Sequence, residues 1–125
     1  MEDFSDLPFD VSRHAEALTA FAALNLTAAS LRPMLRAREL VFFRFPSCQF
    51  RIGVTPDPTV SEKIESDHNR IAFEVICRAD STTEAESIRH EVERYFLRHY
   101  PGRTLRGEQE HTALGNSVTI TCFCV

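Results

Sequence analysis

Arginine is the residue type with the most chemical potential in this chain. Arg32, Arg36, Arg38, Arg44 and Arg51 fall within residues 32–55, opposed there by Glu39 alone, a local charge of +4. The first 31 residues carry Glu2, Asp3, Asp6, Asp10 and Glu16 against Arg13, a local −4, and the whole chain has a formal net charge of −4. A guanidinium offers a planar fork of donors suited to phosphate or carboxylate. Arg36, Arg38, Arg44 and Arg51 are therefore the leading candidates for contact with a nucleic acid or protein partner. The competing reading is that the acidic N-terminal segment, of the same or a neighbouring chain, neutralises them. A dedicated duplex binder is usually basic overall, and this chain is not.

The remaining reactive types are less organised. Glu86, Glu91 and Glu93 alternate with Arg89, Arg94 and Arg98 as on a solvated helix face. His90 and His99 fall on opposite sides of one helix and cannot share an ion. Cys48, Cys77, Cys122 and Cys124 show no CxxC spacing and read as buried free thiols, with no metal site expected. Hydroxyl nucleophiles lack a His-plus-acid arrangement, and the four Gly form no phosphate loop. No catalytic residue and no cofactor is assigned on these grounds.

The elements that position these groups follow from periodicity. At 125 residues and 43% hydrophobic the chain forms one domain with a core of its own. Residues 1–9 read as an extended arm in which Leu7-Pro8-Phe9 could dock on a neighbour. Residues 10–38 read as a helical segment, capped by Asp10, broken at Asn25-Leu26-Thr27 and restarted with Thr27 or Ser30 as cap. The rest, 39–125, reads as an α+β core. In ELVFFRFPSCQFRIGVTPDP, Val41, Phe43 and Phe45 alternate with Leu40, Phe42 and Arg44, and Phe50, Ile52 and Val54 alternate with Arg51, Gly53 and Thr55. That period predicts two strands joined at Pro46-Ser47-Cys48. Gly53 marks a bulge or a close backbone approach. A short helix is expected over about 59–66, a third strand at Ile71–Cys77 and a fourth from Val118 to Cys124. Ser81 with Glu84, or Thr83 with Glu86, makes a capping box for a long helix to about residue 100, stopped by Pro101-Gly102. The fold class is α+β: an N-terminal helical segment, an antiparallel or mixed sheet of about four strands, and one long helix packed on it.

Phe50-Arg51-Ile52-Gly53-Val54-Thr55-Pro56-Asp57-Pro58 resembles the second strand of the GIY-YIG nuclease superfamily, in the branch reading K-I-G-x-T-x-D-P. The resemblance covers residues 40 to about 100. It implies a vestigial site at Phe43, Arg51, Lys63, His68 and Glu91, with Glu91 in the metal-ligand position. The family's first-strand Tyr falls on Phe42 or Phe43, its Arg falls on Ser61 with Lys63 the nearest cation, and Arg51 is too basic to be a good general base. The resemblance therefore implies a domain that has lost cleavage.

Three functions remain open at this level. The first is a non-catalytic GIY-YIG-like domain binding nucleic acid or protein through its arginines. The second is a small phage or viral assembly protein of tail-terminator type, acting as a homo-oligomer, an analogy of element order alone. The third is a weak metal-dependent endonuclease. No apolar run is long enough for a membrane span. The acidic start is unlike a signal peptide, so a cytoplasmic or nuclear, virus-encoded or cellular setting is expected.

Overall fold

The computed structural model describes residues 4–56, 70–106 and 115–123. Asp10 begins its helical layer: the carboxylate accepts from the Ser12 N–H at 3.0 Å, starting a 3-10 turn over Val11–His14 that runs into α1, Ala15–Ala23. Asn25 then takes φ 56°, a left-handed geometry its short polar side chain tolerates, and the helix stops. A 3-10 turn at Ala28–Ser30 leads into α2, Leu31–Arg38.

The strand expected over residues 40–45 is not formed. α2 continues as a π-helical turn, Glu39–Arg44, with the Phe45 N–H donating to the Leu40 carbonyl at 2.8 Å. Helical continuation puts Leu40 and Val41 together in the core beside Met34, Leu35 and Ala37, and leaves Phe43 and Arg44 outside. A strand would have sent Leu40 and Val41 to opposite faces. The β-forming residue types are overruled by this tertiary burial. Arg103 reinforces it by donating to the carbonyls of Val41 at 2.7 Å and Phe45 at 3.2 Å, which the ending helix leaves without intrahelical partners.

The sheet contains β1 (Gln49–Thr55), β2 (Arg70–Arg78), β3 (Thr104–Leu105) and β4 (Ser117–Phe123), in the order β2-β4-β1-β3. β4 is antiparallel to both β1 and β2, and β3 runs parallel to β1, so the sheet is mixed. β1 passes through Gly53 in unbroken register, Gly53 facing Thr119. The irregularities lie in β2 instead, between Arg70 and Ala72 and between Val75 and Cys77. The glycine that must lack a side chain is Gly115, where a Cβ would lie 2.4 Å from the Thr55 carbonyl carbon.

α3, Thr82–His99, starts at Ser81, whose hydroxyl accepts from the Glu84 N–H at 3.1 Å. Glu84 reaches back to the Asp80 N–H at 3.3 Å. Ala85, Ile88, Val92, Tyr95 and Phe96 are buried on this helix. Phe96 packs on Phe50 of β1 with ring centroids 5.0 Å apart. Phe50, Ile52 and Val54 pair with Cys122, Ile120 and Val118, forming the buried sheet face under the helices.

The N-terminal arm folds back on its own chain. Leu7 is buried in the core with Phe4 and Phe9 packed against it, and Asp6 takes Arg32 Nη1 at 2.6 Å. Among the described residues no helix is long and apolar enough to cross a membrane. The short helix expected over 59–66 and the end of the last expected strand at Cys124 lie outside the described residues.

Candidate anion-binding site

The four arginines singled out by sequence do not share a surface. Arg38 is buried. Arg36 is half-buried on α2, close enough to Cys77 of β2 for its charge to act there. Arg44 is exposed and bound to Glu74 of β2, Nη1 to Oε1 at 2.7 Å. Arg51 extends from the sheet face opposite the helices, its guanidinium 5.2 Å from the Phe123 ring. The arm neutralises Arg32 within the chain, so part of the local positive charge is cancelled intramolecularly, as the competing reading expects.

The residues implied by the nuclease resemblance are also separated. Phe43 lies on the π-helical turn with the Arg13 guanidinium 3.7 Å from its ring centroid. Glu91 is a structural acceptor: it takes the Thr27 hydroxyl at 2.6 Å, the Thr27 N–H at 3.1 Å and the Ser30 hydroxyl at 2.6 Å. Burial raises its pKa, but these hydrogen bonds win and hold it below the usual Glu value. It thus secures the turn before α2, the role Ser30 leaves vacant by making no side-chain bond to that helix. Lys63 and His68 lie outside the described residues. Among the described residues no group of three or more His, Cys, Asp or Glu could hold a metal ion.

Arg38 is the centre of a polar cluster inside the helical layer. Its Nε donates to His14 Nδ1 at 3.1 Å, and Nη1 donates to the hydroxyls of Tyr95 at 3.0 Å and Tyr100 at 3.1 Å. The guanidinium also lies 4.5 Å from the Phe42 ring. His14 is fully buried, with the rings of Phe9 and Phe43 edge-on to it. Burial is the main cause of its lowered pKa; Arg38 pushes the same way and Glu39 opposes. Accepting at Nδ1 fixes the neutral tautomer with its proton on Nε2. That nitrogen stands 3.6 Å from Glu39 Oε1, too far for a hydrogen bond. The cluster joins the turn before α1 to α2 and to the end of α3.

Positive charge meets an open concavity elsewhere. A cleft of about 540 Å³ is lined by Leu24 at the end of α1, by His90, Glu93, Arg94, Leu97 and Arg98 of α3, and by Arg106 after β3. Its one lining carboxylate, Glu93, is held by Arg89, Nη1 to Oε2 at 2.8 Å. Arg94 Nη2 donates to the Leu24 carbonyl at 2.9 Å, which anchors that guanidinium against the end of α1. Among the described residues no carboxylate bridges Arg98 or Arg106. Three arginines and a histidine, with Leu24 and Leu97 in the same lining, could take an anion with some apolar surface.

His90, Arg94 and Arg98 recur every four residues, so a shared helix face was readable from sequence. Their alternation with Glu made them look like a self-paired solvated surface. Arg106 carries no sequence signal linking it to them, because only the turn after α3 and the pairing of β3 with β1 bring it there. Compared with known proteins, the chain matches no family model, no curated protein and no solved structure.

Proposed function

We propose that this protein is a non-catalytic binding domain for nucleic acid, engaging the phosphate backbone through Arg94, Arg98 and Arg106. The observation that carries this reading is the cleft itself, whose lining includes three arginines and one carboxylate that is already bonded to Arg89. Arg provides bidentate phosphate contacts, and Leu24 and Leu97 offer surface to a base or sugar. The scattered positions of Phe43, Arg51 and Glu91 support binding over cleavage, and the reading stands without the nuclease resemblance.

The test is fluorescence anisotropy with labelled single-stranded and duplex oligonucleotides across a salt series. Three phosphate contacts predict a log–log slope of about −2 to −3. Arg98→Glu with Arg106→Glu should weaken binding by more than about tenfold and flatten that slope. Arg44→Glu with Arg51→Glu, on other surfaces, should change it little. Salt-independent binding, or equal loss in both double variants, would remove the cleft as the site.

One observation favours the assembly reading as a second choice. β2 forms one edge of the sheet, and its Ile71 is among the exposed large apolar residues. An open strand edge is a template for pairing with another copy. A defined oligomer by native mass, with no oligonucleotide binding, would favour assembly over the cleft.

A further inference from the structure

Cys48 and Cys122 meet in the core where β1 begins and β4 ends. Cys122 is in register with Phe50, which places Cys48 diagonally across the ladder from it. Both are nearly sealed from solvent, at 3% and 0% exposure. Each thiol is the strongest influence on the other's ionisation. Arg103 approaches the same sulfur: Nη2 is 3.6 Å from Cys48 Sγ, while Nε donates to the Cys48 carbonyl at 2.8 Å.

These contacts make the two sulfurs unequal. The Cys122 S–H, then the Arg103 guanidinium, stabilise a Cys48 thiolate against the cost of burial, lowering its pKa to about 6. The neighbouring Cys48 and burial push the Cys122 thiol upward, and the charge of Glu74 adds to that while Arg103 opposes it. Cys77 is pushed up by burial and by Glu84, with Arg36 opposing. One sulfur is thus held ready as a nucleophile, with a second thiol diagonally across the ladder from it.

We propose that Cys48 and Cys122 are a peroxide-sensitive pair, with Cys48 the attacking sulfur and Cys122 the resolving one. The Cys48 thiolate attacks one oxygen of hydrogen peroxide and the O–O bond breaks. Cys48 becomes a sulfenic acid, and the departing hydroxide takes a proton to leave as water. The Cys122 sulfur then attacks the sulfenic sulfur. An S–S bond forms, the S–O bond breaks, and the hydroxide leaves as water with the Cys122 proton. Two electrons pass from the two sulfurs to one peroxide. Arg103 orients Cys48 in the first step and keeps its carbonyl partners after the second. Pro46 and Ser47, next to Cys48 in the chain, are exposed.

The experiment is a hydrogen peroxide titration of the whole folded protein, followed by alkylation, non-reducing digestion and fragment-ion sequencing. The expected product is a Cys48–Cys122 link with loss of two hydrogens, formed before Cys77 is modified. Cys122→Ser should instead leave a dimedone-reactive sulfenic acid at Cys48. The wild-type rate should reach half its plateau near pH 6, and Arg103→Gln should slow the reaction at neutral pH by about tenfold or more. A link to Cys77 or Cys124, or a rate that rises only through the ordinary thiol range, would overturn the proposal. The pH profile needs no variant, so it decides even if Arg103→Gln does not fold.

Discussion

Arg38 is a buried guanidinium whose hydrogen-bond acceptors are an imidazole nitrogen and two phenol oxygens, all neutral. Holding a charge this way requires that His14 stay neutral too, since a proton on Nδ1 would replace the acceptor with a second positive donor. The depressed His14 pKa is a stability statement. Above the ordinary value of 6.5 both folded and unfolded states carry neutral His14 and the contribution is complete. As pH falls below that value the unfolded state binds the proton first, so stability is lost toward the lower folded pKa. Urea unfolding at about pH 7.5 and 5.5 should show this, with a slope of at most about 1.4 kcal/mol per pH unit for one proton. Cys48, whose pKa is also lowered, contributes in part of the same range, so the informative quantity is the difference from His14→Asn. That variant keeps an acceptor for Arg38, and its stability should vary less with pH than the parent's. An equal slope would mean that His14 does not titrate on unfolding. None of this cluster was legible in the sequence: its members come from separate elements, and Arg38 looked like one more surface cation.

The elements most legible in sequence were those whose period and caps agreed. α3 had the Ser81 cap, a helical apolar stripe and a Pro-Gly stop; β1, β2 and β4 showed alternation. Val92 follows as a direct test, being fully buried at the centre of α3. Val92→Asp places an unpaired carboxylate against the sheet and should cost on the order of 3 kcal/mol or more. A thermal midpoint equal to the parent's would mean that this helix face is not the packed one. Residues 40–45 misled because Leu40, Val41 and the phenylalanines suit a strand as well as a buried helix, and short apolar runs do not distinguish the two by period. β3, two residues long, has too little pattern to be seen at all. Glu91 shows a third kind of failure. The nuclease resemblance put it in a metal-ligand position, whereas its partners Thr27 and Ser30 lie more than sixty positions away in the chain.

Across the whole molecule, charge segregation along the sequence did not become charge segregation in space. The acidic arm bonds Arg32, Glu74 takes Arg44, and the open cationic concavity forms on α3 and Arg106. Sheet order has a further consequence. β1 and β2 are consecutive, yet each pairs with β4 and neither with the other. While the chain is being made, the ribosome releases both long strands before the one that joins them exists. Apart from the two-residue pairing of β1 with β3, their backbone groups can enter the ladder only once β4 has emerged. A fragment ending at Arg106 should therefore retain helical circular dichroism but lack slowly exchanging amides in residues 52–55 and 70–78, which lie beyond the pairing with β3. Protection of those amides in the fragment would show that the strands find another pairing. Between the release of β2 and that of β4, the nascent chain presents two apolar strands without the one that joins them to whatever chaperones wait at the tunnel mouth.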